Sequence, residues 1–425
     1  MSGAPVGTTD EAPPAERLPG LWRNRAFNLL WTGQCLSDTG SAMADLALPL
    51  LVFQLTGSPE QAGFVGTVGF AVTMACRLPA GILVDRFDRR RLMILCDAVR
   101  LVLFTLLACA IQARHAHLAV ILAVVAVSAA ATALFSTAEH AAVRSLVRTD
   151  QIITAVARNE ARAYGTSLAG PPLGGLLFGL GRALPFFGNA VTFLLSLVAV
   201  SAIRRPLQQP RPPAAAPGSA PAPGAAGGAG RQGLRFVLGN PFLRALLVIA
   251  APLNMAFTGM IFAMTISLRR SGLSPALVGL VGMVVAVGGL LGATAAPALQ
   301  RRMRLPTLIT LICWSAAALM ALSVLLSTSI ATAVPLAAAV FLGPTANAAL
   351  FGYQAAVTPD HLQGRVVSLL LLAATSTAAL APALAGVLLA HVAGRTALLA
   401  FPLLVAVAAL VATFSSGIRS MSRPS

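Results

Sequence analysis

Gly81-Ile82-Leu83-Val84-Asp85-Arg86-Phe87-Asp88-Arg89-Arg90-Arg91 joins two long apolar stretches through a dense, mixed-charge turn. A glycine in such a helix lets a second backbone approach closely. Asp85 suits the positive end of a neighbouring helix, and four arginines anchor the turn on the cytoplasmic face of a membrane. The whole chain agrees: 57% of its residues are apolar and 10% charged, far from the roughly half and quarter of a soluble domain. It reads as an all-α integral membrane protein. A net charge of +17 would suggest nucleic acid in a soluble chain, but these arginines lie between apolar spans, where they set topology. No nucleic-acid partner is expected. Cys35, Cys76, Cys96, Cys109 and Cys313 lie within or beside spans without metal-ligand spacing, as free core thiols do. Neither a metal nor a cofactor is expected.

A helix needs about 20 apolar residues to cross the hydrocarbon core. Twelve such runs occur: 27–54, 60–84, 91–112, 118–141, 154–180, 184–203, 242–268, 275–298, 305–326, 330–353, 365–391 and 395–416. All 30 basic residues are arginine; with the N-terminus inside, 23 fall on the inner side, five (Arg114, Arg182, Arg269, Arg270, Arg395) on the outer side, and Arg77 and Arg100 within spans. Both termini are therefore expected in the cytoplasm. The segment before Pro19, with Asp10, Glu11 and Glu16, lacks the basic-then-apolar order of a signal peptide. It reads as a cytoplasmic tail in a cell-inner-membrane protein.

Two strings recur about half a chain apart. Ser58-Pro59-Glu60-Gln61-Ala62-Gly63-Phe64-Val65-Gly66 opens the second span, and Ser274-Pro275-Ala276-Leu277-Val278-Gly279-Leu280-Val281-Gly282 opens the eighth. Pro171-Pro172-Leu173-Gly174-Gly175-Leu176-Leu177 in the fifth span matches Pro382-Ala383-Leu384-Ala385-Gly386-Val387-Leu388 in the eleventh. The offsets, 275 − 59 = 216 and 382 − 171 = 211, imply two six-helix halves. The expected division is a tail (1–26), a bundle (27–203), a linker (204–241), a second bundle (242–416) and a tail (417–425). Pro206 to Gly230 reads as flexible linker, and Arg231 to Leu238 as a short amphipathic interfacial helix.

These residues resemble the major facilitator superfamily. Gly81, Asp85, Arg86, Arg89 and Arg90 are similar to its G-x-x-x-D-R-x-x-R-R signature, and Gly170-Pro171-Pro172-Leu173-Gly174-Gly175 resembles the G-P-x-x-G-G element of its exporters. Arg23 to Gln34, Ala47 to Val52 and Leu55 to Pro59 resemble the branch of enterobactin exporters and macrolide-efflux proteins. Two features depart from the pattern: Arg301-Arg302-Met303-Arg304, the second-half counterpart of the Asp-Arg turn, has no acid, and span 4 carries no buried arginine. The resemblance implies a rocker-switch carrier with spans 1, 4, 7 and 10 around a central cavity. It also implies a cytoplasmic latch in which Asp85 and Arg86 dock near Arg365 in one state.

Ionisable groups inside spans default to function. Asp38 and Asp45 are 45 − 38 = 7 residues apart and share a helix face. A rise of ~1.5 Å per residue puts Asp38 at roughly 15 Å, Asp45 at roughly 25 Å and Arg77 at roughly 12 Å from the inner surface. Asp38 and Arg77 are expected to pair, leaving Asp45 as first candidate for proton coupling and Asp38 as second. The alternatives are a wet outer vestibule for Asp45 and a purely helix-tying role for Asp38. Asp97, Arg100, Glu139 and His140 read as structural, Asp97 and Arg100 as an i, i+3 pair. Gln34, Asn254, Met255, Asn347, Tyr353 and Gln354 are candidates to line a substrate cavity. No nucleophile elbow, phosphate loop or metal-spaced histidine pair occurs, so an ion-driven transporter is expected and not an enzyme. Its expected partners are a small-molecule substrate, protons and membrane lipid, and it is expected as a monomer. The expected activity is export of a hydrophobic or amphipathic compound (drug, antibiotic, siderophore or other secondary metabolite) by proton antiport; the alternative is an importer or lipid/nutrient transporter of the same fold.

Overall fold

The computed structural model describes residues 20–205, 207–208, 225–392 and 394–419. The tail before residue 20, most of the Pro/Ala/Gly tract and the last six residues lie outside them. The helices are α1 (Arg25–Thr56), α2 (Pro59–Arg86), α3 (Arg89–Gln112), α4 (Leu118–Leu146), α5 (Ile152–Leu180), α6 (Leu184–Ser201), α7 (Ala225–Gly239), α8 (Pro241–Arg270), α9 (Pro275–Arg302), α10 (Leu305–Leu325), α11 (Ala333–Phe341), α12 (Gly343–Val357), α13 (Asp360–His391), α14 (Gly394–Phe414) and α15 (Ser416–Arg419). Each expected run coincides with one span, and the span expected over 330–353 is split into α11 and α12. Pro344 causes the split: it offers no N–H and its ring displaces the carbonyl four residues earlier. Among the described residues, 11 segments are long and apolar enough to cross a membrane. Span α5 falls short because of its Gly-Pro-Pro element and its polar first half, which holds Arg158, Glu160 and Arg162.

The repeat is visible in local chemistry. Ser58 and Ser274 cap α2 and α9 by accepting from the N–H groups of Gln61 (3.3 Å) and Leu277 (3.4 Å), each with proline at the first helical position. Between the halves, the repeated strings pair crosswise. A Cβ on Gly63 of α2 would overlap the carbonyl oxygen of Pro382 in α13, and one on Gly386 would overlap that of Pro59. On the opposite side, a Cβ on Gly279 of α9 would overlap the Pro171 carbonyl of α5, and one on Gly175 that of Pro275. Small residues thus let four backbones touch where lipid supplies no hydrophobic drive. Thr67 Oγ1 adds a bond across the halves, accepting from Ala383 N–H at 2.9 Å.

This seal lies at the end opposite the arginine-rich turns. One buried apolar cluster mixes the halves, joining Leu50, Val65 and Phe186 with Met260, Val281 and Phe401 toward that neutral end. Toward the basic end the clusters separate: Phe27, Met93 and Leu146 belong to one, and Leu243, Ile309 and Val366 to the other. The halves are packed together at the end opposite the basic turns, while at the basic end no buried cluster joins them among the described residues.

Candidate functional site

Within the first half, α1, α4 and α5 bring three charges together. Arg162 Nε lies 3.2 Å from Asp38 Oδ2, and Arg162 Nη1 donates to Glu139 Oε1 at 2.8 Å. The Arg162 and Glu139 side chains are 9% and 6% exposed, whereas Asp38 is 39% exposed. One cation therefore serves two carboxylates, and only one of the three groups opens out of the packed helices. The contact depends on α1 and α5 lying close together. Gly170 and Gly174 of the Gly-Pro-Pro-Leu-Gly-Gly element have no room for a Cβ against Ala42 and Met43. Two of that element's glycines thus seat α5 on α1, while Pro171 and Gly175 form the seal with α9.

The expected pairing of Asp38 with Arg77 is not observed. Arg77 is exposed and has no ion pair or hydrogen bond among the described residues; the guanidinium that reaches Asp38 comes from α5, which packs on the other flank of α1. Arg162 lies 162 − 154 = 8 residues inside the expected fifth span, and that depth was the signal available for it. The nearly buried arginine of this cluster lies on α5 and not on α4. Asp45 is exposed on the same stripe as Asp38 and has no ion partner among the described residues.

Of the cavity candidates, Asn254 and Asn347 are exposed, while Gln34 and Gln354 are buried. Gln34 donates to Ser196 Oγ (3.3 Å) and Gln354 to Thr358 Oγ1 (3.1 Å), each within its own half. Tyr353 stands edge-on to Phe242 with centroids 4.7 Å apart. The expected Asp97–Arg100 pair is present and buried. Ser196 Oγ donates to Asp97 Oδ2 at 2.7 Å, and Arg100 lies over Phe135 (4.8 Å) and Phe193 (4.4 Å). Removing one partner of a buried pair costs about 3–5 kcal/mol, so Arg100→Leu will lower the thermal midpoint of the detergent-purified protein, and adding Asp97→Leu will restore much of it.

The Asp-Arg turn divides its labour. Asp88 Oδ1 caps α3 by accepting from Arg91 N–H at 2.8 Å. Arg89 Nη1 donates to the carbonyls of Ala141 (3.3 Å) and Leu207 (3.1 Å), and Arg90 to those of Val200 and Ser201. Both arginines thus lock α3 to the ends of α4 and α6, satisfying terminal carbonyls. Asp85 and Arg86 are exposed. Arg365, their expected docking partner, instead donates to Gln232 Oε1 of α7 at 3.4 Å. In the short loop before α5, Arg148 grips Asp150 with contacts of 3.0 and 2.5 Å and holds its carboxyl below the usual range. No group of three or more metal-ligating side chains occurs among the described residues.

The model of the Major Facilitator Superfamily matches residues 30–353. The chain is 28% identical over 349 residues to the multidrug efflux pump Tap of Mycolicibacterium fortuitum, covering 79% of this chain and 82% of that protein. It superposes with a TM-score of 0.73 on a bacterial homologue of the human lysosomal transporter Spinster, at 16% identity and with coverage of 96% and 100%. A bacterial homologue of the iron transporter ferroportin gives 0.68 at 17% identity, with coverage of 92% and 99%. Eleven apolar spans together with α5, in two crosswise-sealed halves with an ion cluster inside one of them, are the build of a transporter, and this chain belongs to the Major Facilitator Superfamily.

Proposed function

We propose that this protein exports a small hydrophobic or amphipathic compound from the cytoplasm in exchange for protons, and that the present structure is its inward-facing state. The observation that carries the coupling is Arg162, shared between buried Glu139 and half-exposed Asp38. With the arginine-rich end in the cytoplasm, the open end of the molecule faces the compartment that supplies the cargo. Both structural neighbours above are inward-facing structures, and the name of the Tap relative describes drug efflux.

In this reading Asp38 is the proton carrier. In the outward-facing state it takes up a proton, loses its charge and releases its hold on Arg162, which stays with Glu139. In the inward-facing state the proton leaves to the cytoplasm and the carboxylate re-forms the ion pair observed here. Coupling requires that protonation change an interaction that differs between the two states. Asp38 has such an interaction, whereas Asp45, without an ion partner, has none in this state.

The basic end carries a matching surface for the second state. Gly81 lies 81 − 63 = 18 residues from Gly63 on α2, and Gly364 lies 382 − 364 = 18 residues from Pro382 on α13. Eighteen residues are about five helical turns, so both glycines share the face that forms the seal at the other end. Both would now bear a Cβ into open space. Closing the basic end on this stripe carries Arg365 from Gln232 towards Asp85. Asp85→Asn will accordingly abolish transport while leaving expression and substrate binding intact; normal transport by this variant removes the latch from the mechanism.

Everted vesicles with an imposed pH gradient and a chemically diverse cargo panel test the activity itself. Accumulation of a cargo that collapses on adding a protonophore is the expected result. Flux indifferent to the gradient, or none for any cargo, would sink the reading.

A further inference from the structure

A groove of about 610 Å³ lies at the basic end where α7 meets α8 and α13, lined by Gln232, Arg235, Phe236, Asn240, Pro241 and Leu362. Its side chains are rich in donors, and Gly239 adds backbone from the C-terminal end of α7. The Gln232 Oε1 acceptor is taken by Arg365 (3.4 Å), and the Asn240 Oδ1 acceptor by the N–H groups of Phe242 (2.9 Å) and Leu243 (3.3 Å) at the start of α8. What remains is the NH₂ group of each amide and the exposed guanidinium of Arg235, with Arg244 exposed on the first turn of α8. Side-chain donors that include a guanidinium favour an anion. The other walls, Phe236, Pro241 and Leu362, are apolar. Beside them Leu234 and Leu238 stand 44% and 50% exposed on successive turns of α7, as on a helix lying in a membrane interface. The inner face of α7 is pinned to the protein: Val237 is buried, and Gly233 packs against Arg365 at the start of α13.

We infer that this groove is a binding site for an anionic phospholipid, its phosphate held by Arg235, Gln232 and Asn240 and its acyl chains running past Leu234 and Leu238. A phospholipid suits it better than a free phosphate because the donors share the groove with apolar walls and continue into an exposed apolar stripe. Basic grooves between helices on the cytoplasmic side are where anionic headgroups gather. Because Gln232 also holds Arg365, an occupied groove stabilises the conformation described here.

The test uses the full-length protein in a neutral detergent, titrated with short-chain phosphatidylglycerol, phosphatidylcholine or glycerol 1-phosphate while the thermal midpoint is followed. Phosphatidylglycerol is expected to raise the midpoint saturably in the wild type and phosphatidylcholine to do so at least about tenfold more weakly, since removing the net charge forfeits the charge-assisted bonds. Arg235→Glu, an exposed substitution, is expected to weaken the phosphatidylglycerol response by about tenfold or more with its lipid-free midpoint unchanged, and Arg235→Lys to retain most of it. Equal responses to the two lipids, or an unaltered response in Arg235→Glu, overturn the site. A full response to glycerol 1-phosphate overturns the lipid as its occupant and leaves a soluble-anion site.

Discussion

Gly63→Leu will stop transport without unfolding the protein. The side chain enters a contact in which even a Cβ overlaps the Pro382 carbonyl oxygen, and the obstacle is backbone, which has no rotamer to change. Overpacking of this kind costs about 1–3 kcal/mol, enough to shift a two-state equilibrium roughly 5- to 150-fold away from the state in which the contact forms. The damage falls on one conformation because the same face of α2 is free once the neutral end opens. Distances between spin labels on Gln61 and His391, measured in a background lacking the five native cysteines, should lengthen, and turnover should drop by at least tenfold. Gly279→Leu, related to Gly63→Leu by the internal repeat, should behave alike. Gly179→Leu is the control: a Cβ there meets nothing, and transport should stay within about twofold, as for surface changes generally. If Gly63→Leu transports normally, the seal observed here does not belong to the cycle.

Asp38→Asn is expected to separate cargo binding from proton movement. The amide fills the same volume but neither carries charge nor releases a proton at working pH, so Arg162 keeps Glu139 as its one carboxylate in either state. Gradient-driven efflux should fall by about two orders of magnitude, the range over which a positioned proton-transfer group contributes, while cargo affinity of the purified protein stays within a few fold. Counterflow of labelled against unlabelled cargo, which needs no net proton movement, should persist. Asp45→Asn should keep its pH dependence. Loss of pH dependence in Asp45→Asn with full coupling in Asp38→Asn would move the proton site two turns along α1. Arg162→Gln is a different experiment, because it leaves Glu139 buried without its cation and destabilises by about 3–5 kcal/mol.

Reading along the chain located the helices closely, because membrane-spanning length and punctuation by arginine and proline are local, one-dimensional signals. The exception, the break between α11 and α12, follows from Gly343-Pro344 and was legible there as well. Pairing of charges was not. Asp38 and Arg77 were matched by depth, which a residue count supplies, but a pair also needs two side chains turned toward each other. Depth could not distinguish α2 from α5 as the source of the guanidinium. Gln34 and Gln354 are buried against neighbours in this structure, since a polar residue on an inner helix faces either a neighbour or the cleft.

By itself the sequence determined the number and limits of the spans, the basic and neutral ends, the two-fold repeat and the family. The spans, the two ends and the repeat follow from composition and spacing along a single chain, and the family from the resemblance carried by the Gly81–Arg90 turn and the Gly170–Gly175 element. Only the tertiary structure decided that Gly63 meets Pro382 while Gly279 meets Pro171, that Arg162 joins Asp38 to Glu139, and that α7 holds Arg365. Those contacts depend on the rotation of each helix about its axis and on its register against another helix. Hydropathy constrains neither when neighbouring helices and lipid are equally apolar.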